Sequence, residues 1–203
     1  AVARAKSAEP NAVIKELERH PADFESLVGV TGQHDGLLKQ ALELFGIRPL
    51  FNLSVMKTDQ GLADLTGAIL QRTDAVLRET RPDMILVQGD TTTVFAAALA
   101  AFYQGIRIGH VEAGLRTEDK LQPFPEEINR RLTDHMSDAL FAPTESSRRN
   151  LLQEGIPGQR IFVTGNTVID ALKEICTWEH PAGIEGLSSV PERMVLVTVH
   201  RRE

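Results

Sequence analysis

The chain has 203 residues, a formal net charge of −6, 42% hydrophobic and 25% charged residues, which suits one large soluble domain or one domain and part of another. Its charges are well mixed and form no basic stripe, which argues against a nucleic-acid partner. No apolar run reaches membrane-spanning length, no signal peptide opens the chain, and the single cysteine, Cys176, fits a reducing compartment and permits no internal disulfide.

Residues 1–12 (AVARAKSAEPNA) have little periodicity and read as a frayed or remodelled start. Val13, Ile14 and Leu17 share one helical face, and Pro21-Ala22-Asp23 breaks that helix. Phe24 to Thr31 reads as a strand, followed by the turn Gly32-Gln33-His34 and a helix from Leu37 to Phe45 that Gly46 stops. Residues 47–60 contain Pro49 and several polar residues and read as an irregular loop. Leu62 to Glu79 is a longer amphipathic helix with Leu62, Leu65, Ile69, Ala75 and Leu77 as its apolar positions, ended by Arg81-Pro82-Asp83.

Met84 to Glu112 is the most informative stretch. An apolar run, Met84 to Val87, is short enough for a buried parallel strand. Gln88-Gly89-Asp90 and three threonines follow, then an alanine-rich helix from Val94 to Tyr103 and a second apolar run, Ile106 to Val111. This is a compact βαβ unit whose two strands both lead into a carboxylate, Asp90 and Glu112. Ligands of open parallel sheets sit outside the carboxyl ends of the strands, so the two acids face one rim. Asp90 reads equally well as a helix N-cap; for Glu112 a solvated strand-end role is the weaker reading, since the small-residue turn Ala113-Gly114 that follows lets a ligand approach closely.

Residues 113–125 form a loop with two prolines around Phe124, and Glu126 to Met136 is a helix whose first-turn acids suit its positive end. On that ground alone Glu126 needs no catalytic role. Ala139–Ala142 is a short strand, Thr144 caps a helix that runs to Glu154, and Ile161–Thr164 is another strand. Gly165-Asn166-Thr167 turns into a helix from Val168 to Ile175. Residues 177–193 have linker composition, and Met194 to Val199 is a buried strand followed by His200-Arg201-Arg202-Glu203. The expected organisation is a domain over 1–176, a linker over 177–193 and, at 194–203, the first strand of a second domain. The alternation of strands and helices makes the fold α/β, with a doubly wound, Rossmann-like parallel sheet.

QGDTTT (88–93), HVEAGLRT (110–117), PFPEEINRR (123–131), FAPTE (141–145), FVTGNTVIDAL (162–172) and LVTVHRRE (196–203) stand in this order and at fitting spacings. Together they resemble the bacterial non-hydrolysing UDP-N-acetylglucosamine 2-epimerases from about Val13 to the end. The resemblance implies half of a glycosyltransferase-B-like two-domain fold and a cytoplasmic homodimer feeding cell-surface polysaccharide synthesis. It implies interconversion of UDP-N-acetylglucosamine and UDP-N-acetylmannosamine by elimination and re-addition of UDP, with neither cofactor nor metal. By motif position the acid/base residues are Asp90, Glu112 and Glu126. His200, with Arg201 and Arg202 beside it, is expected near the substrate diphosphate. Gln33 and His34 match the site at which many bacterial members bind a regulatory nucleotide sugar. Arg116 and Arg130 read first as structural ion-pair partners. His110 and Glu112, two apart on one strand, lack a third metal ligand at a convincing spacing.

Three departures stand out. The family's opening strand and phosphate-binding loop are replaced by residues 1–12, in which Arg4 and Lys6 align to no role. Val199 stands where a small residue usually precedes the histidine, and the loop after HVEAGLRT reads EDKLQP. A hydrolysing relative that releases N-acetylmannosamine, and a non-catalytic paralogue that dimerises or binds nucleotide sugar, are the alternatives.

Overall fold

The computed structural model describes residues 2–3, 9–32, 42–57 and 59–178. Arg4, Lys6, Gln33, His34, the linker beyond Trp178, the strand expected at Met194–Val199, and His200, Arg201 and Arg202 lie outside the described residues. The same is true of residues 37–41 of the expected second helix, while 42–44 are helical.

The strands are β1 (Val2–Ala3), β2 (Gly29–Val30), β3 (Phe51–Asn52), β4 (Met84–Gln88), β5 (Arg107–Val111), β6 (Ala139–Ala142) and β7 (Ile161–Val163). Among the described residues they form one seven-stranded sheet in the order β3-β2-β1-β4-β5-β6-β7, and every pairing is parallel. The helices are α1 (Glu9–Glu18), α2 (Leu62–Thr80), α3 (Thr92–Tyr103), α4 (Glu126–Met136), α5 (Glu145–Gln153) and α6 (Thr167–Cys176). The strand order runs outward in both directions from β1 and β4, which is the doubly wound, Rossmann-like pattern, with its switch point between those two strands.

The start of the chain departs from expectation. Val2–Ala3 is a strand at the centre of the sheet, paired with both β2 and β4, so the opening strand is present in short form. Helix α1 begins at Glu9, within the supposed frayed segment. Strand β2 is two residues long because the chain enters the sheet only near Val28, whose carbonyl accepts from Leu50 and Phe51. Strand β3 lies inside the supposed irregular loop; Pro49 precedes its two paired residues.

The central layer is built on alanine. Ala96, Ala97, Ala98, Ala100 and Ala101 of α3 have no exposed surface; all but Ala96 join Val94, Ile85, Val87 and Ile108 in the core over β4 and β5, and Ala96 packs with Leu65 and Ile69 of α2. Small side chains let α3 approach the sheet and both neighbouring helices closely. Helix α2 packs on α3 through Leu65, Ile69, Thr73 and Leu77, a strict i, i+4 stripe. The stripe uses Thr73 rather than Ala75, which is exposed, and Leu62 is 45% exposed at the first turn. Helix α6 returns across the molecule to pack on α1, where Ile175 and Trp178 cover Ile14, Val28, Phe45 and Ile47 and Lys15 pairs with Glu174.

Candidate functional site

Asp90 and Glu112 stand at the carboxyl rim of the sheet, just past the ends of β4 and β5, and Glu126 is the first residue of α4. Thr91 caps α3, its hydroxyl accepting from Val94 N at 3.4 Å. Asp90 is therefore relieved of the capping role and stands between β4 and the helix, its side chain 30% exposed. Gly89 before it has φ +82°, and a side chain there would come within 3.6 Å of Glu112 Oε2. The carboxylate of Glu112 thus lies across the turn that presents Asp90.

Glu112 has φ +69°. A left-handed conformation costs a non-glycine residue about 1–2 kcal/mol, and such outliers concentrate at functional sites. Asn166 at the start of α6 anchors this side chain: its Nδ2 donates to Glu112 Oε1 at 3.1 Å, while its Oδ1 caps the helix by accepting from Val168 N at 2.9 Å. Beside it, Gln88 Nε2 donates to Thr167 Oγ1 at 3.0 Å. These contacts draw the first turn of α6 across the ends of β4 and β5. Glu126 opens α4 and, with Thr91, Thr92, Thr93, Pro125, Leu62 and Leu65, lines a pocket of about 160 Å³. Asn129, one turn further along α4, donates to the Asp90 carbonyl at 3.1 Å. Asp90 and Glu112 thus meet at the Gly89 turn, while Glu126 faces the threonines that follow Asp90 in the pocket beside it.

Beneath them runs a circuit of charges. Arg130 Nη2 is 3.6 Å from Asp90 Oδ2 and Arg130 Nε is 3.3 Å from Glu127 Oε2. Arg131 Nε lies 2.8 Å from Glu127 Oε1 and 3.9 Å from Glu154 Oε1. Arg116 Nη2 joins Glu154 at 2.6 Å to Asp134 at 2.8 Å. Asp134 Oδ1 is 2.6 Å from His110 Nδ1, and His110 Nε2 is 2.8 Å from the Gly89 carbonyl. The path that leaves Asp90 returns to its neighbour.

Burial pushes the Asp134 carboxyl up, but its hydrogen bonds and charge contacts with His110 and Arg116 outweigh that and hold it below the usual carboxylate range. Glu154 is likewise held down, first by its hydrogen bonds from Arg116. Arg116 and Arg130 are ion-pair partners, as read from sequence. The circuit also clamps the loop between β5 and α4: Gly114 N donates to Asp134 Oδ2 at 3.2 Å, Asn150 Nδ2 to the Gly114 carbonyl at 2.9 Å, and Thr117 N to Glu127 Oε2 at 3.3 Å.

Sequence reading singled out none of Glu127, Asp134, Glu154, Asn129 and Asn166. Glu127 and Asp134 fall seven residues apart on α4, a spacing that puts both on one helical face, and that was the available signal. Among the described residues no group of three or more His, Cys, Asp or Glu side chains is arranged to hold a metal, and no helix is long and apolar enough to cross a membrane.

A family model described as UDP-N-acetylglucosamine 2-epimerase matches residues 15–203. The Salmonella typhimurium UDP-N-acetylglucosamine 2-epimerase is 49% identical over 199 residues, covering 94% of this chain and 53% of the relative. The Bacillus subtilis enzyme of the same name is 48% identical over 194 residues, covering 94% and 50%. The chain thus spans about half the length of the curated relatives it matches. Among solved structures, the UDP-GlcNAc 2-epimerase of Neisseria meningitidis bound to UDP-GlcNAc superposes with a TM-score of 0.80 at 47% identity, over 87% of this chain and 49% of that one. The Methanocaldococcus jannaschii enzyme in complex with UDP-GlcNAc and UDP gives 0.77 at 40% identity, over 82% and 45%. The described sheet is one Rossmann-like half of a fold of the glycosyltransferase-B type. With the family model spanning most of its length, the chain belongs to the UDP-N-acetylglucosamine 2-epimerase family.

Proposed function

We propose that this chain carries the acid/base half of a non-hydrolysing 2-epimerase, which interconverts UDP-N-acetylglucosamine and UDP-N-acetylmannosamine. The observation that carries this reading is Glu112, tethered by Asn166 in a left-handed backbone across the Gly89 turn that presents Asp90; the pocket that Glu126 lines with Thr91, Thr92 and Thr93 supports it. The reaction needs carboxyl groups on both faces of the sugar. No carbonyl activates the hydrogen at C2 directly, so its removal is coupled to loss of the leaving group at C1. One carboxylate takes the C2 proton, the C1–O bond breaks with its electron pair passing to the UDP oxygen, and a C1=C2 double bond forms. A second carboxyl group then delivers a proton to the opposite face of C2 as UDP re-adds at C1. Asp90, Glu112 and Glu126 share these proton transfers. A site closed over the sugar keeps water from the glycal intermediate.

His200, Arg201 and Arg202, at the start of a second domain, supply positive charge to the departing diphosphate in this scheme. Gln33 and His34 belong to a second, regulatory nucleotide-sugar site. The domain spans 1–176, the linker 177–193, and residues 194–203 open the second half. The working form is a cytoplasmic homodimer; exposed Ile128 and Leu132 on α4 and Phe102 and Tyr103 at the end of α3 support an apolar interface. Proton NMR of the intact protein with UDP-N-acetylglucosamine tests the reading through its product. UDP-N-acetylmannosamine is expected. Free N-acetylmannosamine with UDP identifies a hydrolysing enzyme instead, and an unchanged substrate removes the proposal.

A further inference from the structure

His110 has no exposed surface and takes no part in the proton transfers above. Its Nε2 faces the carbonyl oxygen of Gly89, a pure acceptor. Its Nδ1 faces Asp134, whose other oxygen already accepts from Arg116 and from Gly114 N. A carbonyl oxygen only accepts, so the Nε2 hydrogen is donated to Gly89, and the ring bridges that turn to the Asp134 carboxylate.

On the basis of the function proposed above, we infer that His110 is a positioning residue. Its Nε2 grips the Gly89 carbonyl, and so fixes the left-handed turn that aims Asp90 at the sugar. The turn has few other restraints: Gly89 N donates to the Val111 carbonyl at 3.1 Å and Asn129 holds the Asp90 carbonyl. His110 ties that turn to α4 and, through Asp134, to the Gly114 end of the loop leading to Glu126. The grip on Gly89 serves geometry; the grip on Asp134 serves stability. The two functions can be separated.

Asparagine places an amide N–H close to the position of Nδ1, and glutamine places one close to that of Nε2. His110→Asn keeps a donor for Asp134 and releases Gly89; His110→Gln keeps a donor for Gly89 and releases Asp134. In the intact protein, H110N is expected to lower kcat about 10- to 100-fold with KM within about twofold, since a displacement of roughly 1 Å at a reacting group has that effect. H110Q is expected to keep kcat within about tenfold of wild type while having the lower melting temperature. Activity and stability thus fall in opposite orders. A purely structural histidine makes both fall in the same order, and that result overturns the inference. Nitrogen-15 NMR supplies an independent readout: the Asp90 amide resonance displaced in H110N but not in H110Q. An Asp90 amide indifferent to both changes refutes the inference. If the wild type fails to epimerise, the proposed function falls, and the amide spectra still decide whether His110 holds the turn.

Discussion

Replacing Asp134 by asparagine cuts the charge circuit at its most buried point. The carboxylate is 1% exposed and accepts from His110 Nδ1 at 2.6 Å, Arg116 Nη2 at 2.8 Å and Gly114 N at 3.2 Å. Asparagine preserves the size but removes the charge that faces buried Arg116 and His110. Removing one partner of a buried ionic pair destabilises by about 3–5 kcal/mol, because the remaining charge stays buried without compensation. Arg116 retains Glu154, which favours the lower end for that side, while among the described residues His110 keeps no other acid. Urea unfolding of this chain, followed by far-UV circular dichroism at pH 7, is expected to show a midpoint lowered by about 2 M for a slope near 2 kcal/mol/M.

The pH dependence sharpens the test. The native Asp134 carboxyl is held below its unfolded value near 3.9. Its contribution is therefore fully present above that value and is lost as pH falls through the native one. Asp134→Asn has no such contribution to lose. The gap between the two proteins is expected to close as pH falls below about 4. A gap under about 1 kcal/mol at pH 7, or one that persists undiminished below pH 4, refutes the assignment of Asp134 as the anionic centre of the circuit.

Gly114→Ala forces a Cβ to within 2.4 Å of the Ser147 carbonyl oxygen and 2.9 Å of Leu151 Cγ, at φ +85°. Backbone conformation and crowding together predict a loss of about 2–5 kcal/mol in the same unfolding assay; a change within about 0.5 kcal/mol contradicts the packing of this loop against α5. Asn166→Ala removes both the α6 cap and the tether on Glu112. It is expected to lower stability by about 0.5–2 kcal/mol and to lower kcat of the intact protein by roughly tenfold. Asn166→Ser should restore most of the stability without restoring kcat, and recovery of both together argues against the tether.

The βαβ unit around Asp90 and Glu112 was legible because its signals are local: apolar runs of strand length, an alanine-rich helix and glycines between them. Helix α4 was read to the residue, since Pro125 and the two glutamates mark its start. Strands β1 and β3 were not legible. Each has two paired residues, too few for any periodicity, and each is defined by its neighbours in the sheet. Thr73 was passed over as polar although the i, i+4 stripe of α2 requires it inside.

The same limit applied to the site. The three acids could be named from motifs, but the circuit beneath them joins residues 20 to 40 positions apart through topology. No sequence interval distinguishes Asp134 from an ordinary surface acid. Whether Asp90 caps the helix that follows could be decided only by the hydroxyl of Thr91, which takes the cap.

Whether Asp90, Glu112 and Glu126 move the C2 proton is tested most directly by deuterium uptake. The intact protein and its Asp90→Asn, Glu112→Gln and Glu126→Gln variants would be incubated with UDP-N-acetylglucosamine in D2O, and the C2 proton signal followed. Wild type is expected to form UDP-N-acetylmannosamine carrying deuterium at C2, and each variant to exchange at least about 100-fold more slowly while remaining folded. Epimerisation without deuterium at C2, or exchange at near wild-type rates in all three variants, would contradict the assignment of these carboxylates to the chemistry.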